Sequence, residues 1–179
     1  MSELGSSRLW TMRILFATLV MGILFLHLLP LQTATGGWIW PDLLLAFALA
    51  WSVRRPDYVP ATLLAGSFLL ADLLLQRPPG LWALLALIAC EQLKFQARSL
   101  RDASLAAELV SVTAWIVGIG IGYRIIMAVL LIDMPPLGPA LIQIIVTALA
   151  YPLVVGVTHA FMGVRKATPN DLGGSGVRS

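Results

Sequence analysis

Six apolar stretches separated by short polar breaks run through most of this chain, and the longer ones have the length of membrane-crossing helices. The first runs from about Ile14 to Leu31 behind a basic start. No small-residue cleavage site precedes a soluble domain, and more apolar stretches follow, so it reads as a retained helix and not as a signal peptide. The second, Trp38 to Val53, is short at ~24 Å. Pro41 suits its first turn, and Trp38 and Trp40 suit an outer interface. A re-entrant segment and a full crossing both remain open there, with the basic pair Arg54-Arg55 at the far end favouring a crossing. The third and fourth, Tyr58 to Leu75 and Leu81 to Phe95, are joined by Gln76-Arg77-Pro78-Pro79-Gly80, which permits little but a sharp reversal. The fourth continues through Arg101 as an amphipathic extension. The fifth, Leu105 to Ile132, is ~42 Å long and crosses with tilt. The sixth, Leu137 to Val164, carries Pro152, placed to kink it.

Charge gives these stretches a direction. Ten of the twelve basic residues fall in four clusters, Arg8 and Arg13, Arg54 and Arg55, Lys94, Arg98 and Arg101, then Arg165, Lys166 and Arg178. The connections around Gly36 to Trp40 and Asp133 to Gly138 have no Lys or Arg, and the one around Pro78 has only Arg77. This is a positive-inside pattern with both termini in the cytoplasm of a bacterial inner-membrane protein. The expected architecture is therefore an all-α polytopic membrane protein with six transmembrane helices and short loops. Residues 1–13 form a cytoplasmic tail, 14–164 the membrane domain, and 165–179 a disordered cytoplasmic tail bearing Gly and Ser.

Composition narrows the function classes. With 59% apolar and 12% charged residues the chain lies far from soluble domains. The pI near 9.5 reflects basic residues beside apolar spans, where orientation and anionic headgroups account for them, so no nucleic-acid partner is expected. The single cysteine, Cys90, lies in an apolar run and reads as a small buried hydrophobe.

Ionisable groups at membrane depth face a protein interior, a cavity or a partner. Asp72 near the outer end of the third span and Arg124 in the fifth approach the same leaflet and are expected to pair. Asp42 and Asp133 are expected nearer the surface, solvated or as alternative partners of Arg124. Toward the cytoplasm Glu91 and Lys94, three apart, are expected to pair, and Glu108 to join Lys94 or Arg98 in a solvated or headgroup-level network. Arg54, Arg55, Lys94, Arg98 and Arg101 make a cytoplasmic basic surface for acidic partners or anionic lipid. His27 and His159 fall at opposite ends of the membrane, without Cys or carboxylate neighbours at ligand spacing, so no metal or cofactor is expected. Gly118-Ile-Gly120-Ile-Gly122 lacks the strand and spacing of a dinucleotide loop. Gly118 and Gly122 instead form a GxxxG face, as Ala46 with Ala50 and Ala61 with Ala65 form small-residue faces, for an internal or a partner helix. Ser67, Ser111 and Thr113 have no His at matching depth and are expected to bond back to helix carbonyls, so no catalytic group assembles.

The ordered text of the second to fourth stretches adds a resemblance. Trp40-Pro41-Asp42-Leu43-Leu44-Leu45, Ala50-Trp51-Ser52-Val53-Arg54-Arg55-Pro56, and Gly66 followed by Leu70-Ala71-Asp72-Leu73-Leu74-Leu75 and Arg77-Pro78-Pro79-Gly80-Leu81 resemble the bacterial rod-shape-determining protein family MreD. The specific text lies within residues 40 to 82, with Pro41, Asp42, Gly66, Asp72, Pro79 and Gly80 as its motif residues. One departure is Gln76, where the family often has glycine before the turn. The resemblance implies a non-enzymatic scaffold of the cell-elongation complex. Its implied partners are a bitopic MreC-type protein, a RodA-type glycosyltransferase with its class-B transpeptidase, and actin-like MreB filaments, in a setting of membrane lipids. The family is also similar to the six-helix substrate-binding subunits of energy-coupling-factor vitamin transporters, which makes such a subunit the rival reading.

Overall fold

The computed structural model describes residues 2–29, 40–101, 104–132 and 136–162. Trp38, Asp133, Arg165, Lys166, Arg178 and the expected tail lie outside the described residues, as do the side chains of Arg98 and Arg101. Among the described residues the chain is all-helical, with α1 Ser2–Leu28, α2 Leu43–Arg54, a 3₁₀ turn Pro56–Tyr58, α3 Ala61–Leu74, α4 Leu81–Arg101, α5 Leu105–Val129 and α6 Leu137–Met162. Three helical stretches, Ser7–Leu28, Leu105–Val129 and Leu137–Ala160, are long and apolar enough to cross a membrane, while α2 and α3 are shorter apolar helices. Residues 2–13, expected as a tail, are the first turns of α1.

Helix α2 forms the axis of the fold. It packs chiefly against α4 and α6 and also touches α1, while α1, α3, α4, α5 and α6 follow one another around it. Eleven of its twelve residues are buried. Its sequence explains this: Leu43-Leu44-Leu45-Ala46-Phe47-Ala48-Leu49-Ala50-Trp51 is apolar on every face, the signature of an enclosed helix. Phe16 of α1, Phe47 and Trp51 form a three-ring cluster with centroids 5.2 to 5.8 Å apart. At ~18 Å, α2 is shorter than the ~30 Å hydrocarbon thickness of a bilayer, and both its ends are enclosed by protein.

The turn after α3 is built on two left-handed residues. Gln76 has φ 54° and the Arg77 N–H donates to the Asp72 carbonyl at 3.0 Å, a Schellman closure with glutamine where glycine is usual. Gly80, at φ 86°, opens α4. The same closure ends α5, with Leu131 at φ 54° and the Ile132 N–H donating to Met127.

Candidate functional site

The polar groups of the interior gather at the two ends of α2. At its N-terminus the Asp42 carboxylate caps the helix, accepting from the Leu45 N–H at 2.9 Å, and its Oδ2 lies 3.6 Å from Arg77 Nη1. The Asp42 N–H donates to Thr147 Oγ1 of α6 at 2.9 Å. Asp42 is thus buried and bonded, not solvated as expected. A carboxylate is favoured there by the unpaired N–H groups and dipole of the helix start.

Asp72 also differs from its expected role. Its Oδ2 accepts from the N–H groups of Gly80 at 3.0 Å and Ala83 at 3.1 Å. It supplies from α3 the capping oxygen that Gly80 lacks, tying the hairpin of α3 and α4 shut. The cation whose field it feels is Arg77, so the arrangement replaces the expected pair with Arg124 by a cap. Asp72 is fully buried, and its Oδ1 has no hydrogen-bond partner among the described residues. Arg77 lies over the Trp82 ring at 5.0 Å, and Trp82 meets Tyr123 of α5 edge-on at 5.4 Å. His27, Asp42, Arg77 and Trp82 line a cavity of about 10 Å³, the size of one water.

At the other end of α2 the expected basic surface is divided. Arg54 is buried, and its Nη2 reaches Glu108 Oε1 of α5 at 3.2 Å. The Tyr151 hydroxyl of α6 donates to the same oxygen at 2.8 Å. Glu108, expected at headgroup level with Lys94 or Arg98, is fully enclosed and ties α2, α5 and α6 together. A cation at the last turn of α2 answers the helix dipole as Asp42 does at the first. Lys94 and Glu91 do pair, at 2.7 Å, and Lys94 Nζ also donates to the Val59 carbonyl at 2.6 Å. Arg13 Nη2 donates to the Asp57 carbonyl at 3.3 Å, and Arg55 lies 5.9 Å from the Tyr58 ring. These contacts mark one level across α1, the 3₁₀ turn and α4.

The small-residue faces separate into internal and external ones. Ala46 and Ala50 are wholly buried in the contacts of α2. Ala61 and Gly66 are exposed on α3, and Ala65 is half-buried. Gly118 is exposed, and a Cβ there would meet nothing within 4 Å. Gly122, one turn on, would place a Cβ 3.4 Å from Leu85 of α4, so it serves internal packing. The tightest approach is at Gly120, where a Cβ would lie 2.7 Å from Ile144 of α6. The sequence pattern flagged Gly118 and Gly122 and passed over Gly120, because spacing identifies a helix face but not its neighbour. Of the expected back-bonding hydroxyls, Ser67 donates to the Leu63 carbonyl at 2.7 Å. Pro41 precedes the capping residue instead of lying in the first turn of α2, and Pro79 lies in the turn before α4.

Searches against protein-family models, curated proteins and solved structures return no match to this chain. Buried charges are paired or capping, no three His, Cys, Asp or Glu side chains among the described residues gather as a metal-binding group, and the outward helix faces are apolar.

Proposed function

We infer that this chain is a multi-pass protein of the bacterial inner membrane, with six membrane-inserted helices and both termini in the cytoplasm, acting as a non-enzymatic scaffold of the cell-elongation complex. Its partners on this reading are an MreC-type bitopic protein and, with it, the RodA-type glycosyltransferase, its class-B transpeptidase and MreB filaments. The charge map and the MreD-like text between residues 40 and 82 support it. The observation that carries it is the division of labour between inside and outside. Buried polar groups at both ends of α2 bind helices to one another, while α5 and α6 turn Val110, Ile121, Ile125, Leu141, Ile145 and Leu149 outward. A braced interior with apolar, loop-poor flanks suits holding other membrane helices. The cavity at the Asp42 end, at about 10 Å³, is itself too small for a vitamin, which needs hundreds.

The test separates partner binding from folding. Gly118→Leu adds bulk to an open face, so it should leave the purified protein folded and reduce co-purification of the MreC-type partner. Gly122→Leu presses on Leu85 and should lower stability itself. Undiminished capture by Gly118→Leu removes that face from the interface. Native mass spectrometry showing a retained vitamin and no binding to the cell-wall partners would replace the scaffold reading by the transporter one.

A further inference from the structure

The helices do not end level with one another. At the Asp42 end, the first four converge on one polar layer. His27 of α1, Asp42 before α2, Arg77 after α3 and Trp82 of α4 surround one small cavity. Helix α5 passes this layer at Tyr123, against Trp82, and stays helical to Val129. Helix α6 starts at Leu137 and reaches the layer at Thr147, which accepts from Asp42. At 1.5 Å per residue the hairpin of α5 and α6 thus rises roughly 9 to 15 Å beyond the layer. Its outward side chains there are apolar and exposed: Ile125, Val129 and Leu131 from one arm, Leu137, Leu141 and Ile142 from the other.

The flank made by α3 and α4 is thin between its polar levels: along α4, Trp82 at the layer and Lys94, which bonds the Val59 carbonyl just before α3, are ~18 Å apart. Helix α3, Ala61–Leu74, covers ~21 Å, against ~30 Å of hydrocarbon in an ordinary bilayer. It is bounded by exposed Gln76 at one end and by exposed Asp57 before it at the other. A flat bilayer cannot suit both flanks. If it covers the hairpin it submerges exposed Gln76 and the partly exposed Arg77. If it stops at the layer it leaves Leu131, 92% exposed, in water.

We propose that the protein thins the bilayer on one side: the leaflet at the Asp42 end is drawn down to the Arg77–Trp82 layer along α3 and α4, while the hairpin of α5 and α6 stands in hydrocarbon of ordinary depth. The occupant of the step is phospholipid, with headgroups resting on the layer. Arg77 over Trp82 is a cation on an interfacial ring, and both are side chains that settle at headgroup depth. A short apolar helix is accommodated by thinning the bilayer at modest cost per ångström. This goes beyond the scaffold reading and does not depend on the partner.

Cysteine labelling of the full-length protein in phosphatidylcholine vesicles, with a charged maleimide on both sides, tests it. Gln76→Cys and Pro79→Cys report the floor of the step, Leu131→Cys and Leu137→Cys its top. The native Cys90 is fully buried and supplies the background. Labelling after denaturation gives the total for each variant. A thiol must be hydrated and ionised to react, so both floor positions should label at least ~10-fold faster than both top positions. Equal, rapid labelling of floor and top would mean that the hairpin projects into water. Floor positions as slow as the top would mean that the layer is submerged. Either result overturns the proposal, and two positions per level guard against one variant failing to fold.

Discussion

Removing the charge of Glu108 is the sharpest perturbation this fold offers. The Arg54 side chain is 8% exposed and that of Glu108 fully enclosed, so Glu108→Gln leaves a guanidinium without its anion in a dry site. Breaking a buried pair from one side costs about 3–5 kcal/mol, because the remaining charge is stranded. Tyr151→Phe removes one hydrogen bond to the same carboxylate. Hydrogen bonds between membrane helices average near 0.6 kcal/mol and reach about 1.7, so about 1 kcal/mol is expected for it. The double replacement Arg54→Met with Glu108→Leu removes the pair from both sides and leaves the Tyr151 hydroxyl without its acceptor, so it should cost about 1–3 kcal/mol, less than either Arg54→Met or Glu108→Leu alone. Unfolding by SDS in mixed micelles, followed by tryptophan fluorescence, measures each variant. Strong non-additivity between positions 54 and 108 is the signature sought. Single variants indistinguishable from wild type, or a double variant equal to the sum of the singles, would refute the bracing role of the cluster.

Two further outcomes follow from the turn after α3. Asp72→Ala removes the oxygen that caps Gly80 and Ala83 and should cost about 2 kcal/mol. In a double-mutant cycle it should combine additively with Arg124→Ala, and coupling between them would restore the ion pair that the geometry replaces. Gln76→Gly relieves a left-handed residue and should stabilise by about 0.5–1 kcal/mol, read as a rise in the thermal midpoint of the detergent-solubilised protein; a lowered midpoint would show that the glutamine side chain is held.

Much of the helix plan was legible in the sequence. The expected start of the fourth to sixth helices, the reversal at Pro78-Pro79-Gly80 and the local pair of Glu91 with Lys94 all agree with the structure, since each is written in adjacent residues. The long-range polar contacts were not legible. Arg54 and Glu108 are 54 positions apart, and a basic residue ending an apolar run looks the same whether it reaches headgroups or folds inward. Asp72 was recognisable as a buried charge. Its true partners are backbone N–H groups, which no residue letter displays. The burial of Asp42 and Glu108 is illegible for one reason: positions near helix ends read as solvent-facing, whereas these helix ends lie inside the protein.

That enclosure of α2 carries a consequence for biogenesis. A twelve-residue helix with charged ends has no stable position in lipid by itself, because its terminal backbone groups and both charges need protein partners. Most of those partners are contributed by α4, α5 and α6, which leave the ribosome after it. Maturation in the order of synthesis therefore cannot finish α2 first. The early helices have to wait, loosely held, until the last hairpin arrives and closes around them, and a nascent chain cut before residue 137 would display α2 to quality-control proteases as an unfinished segment.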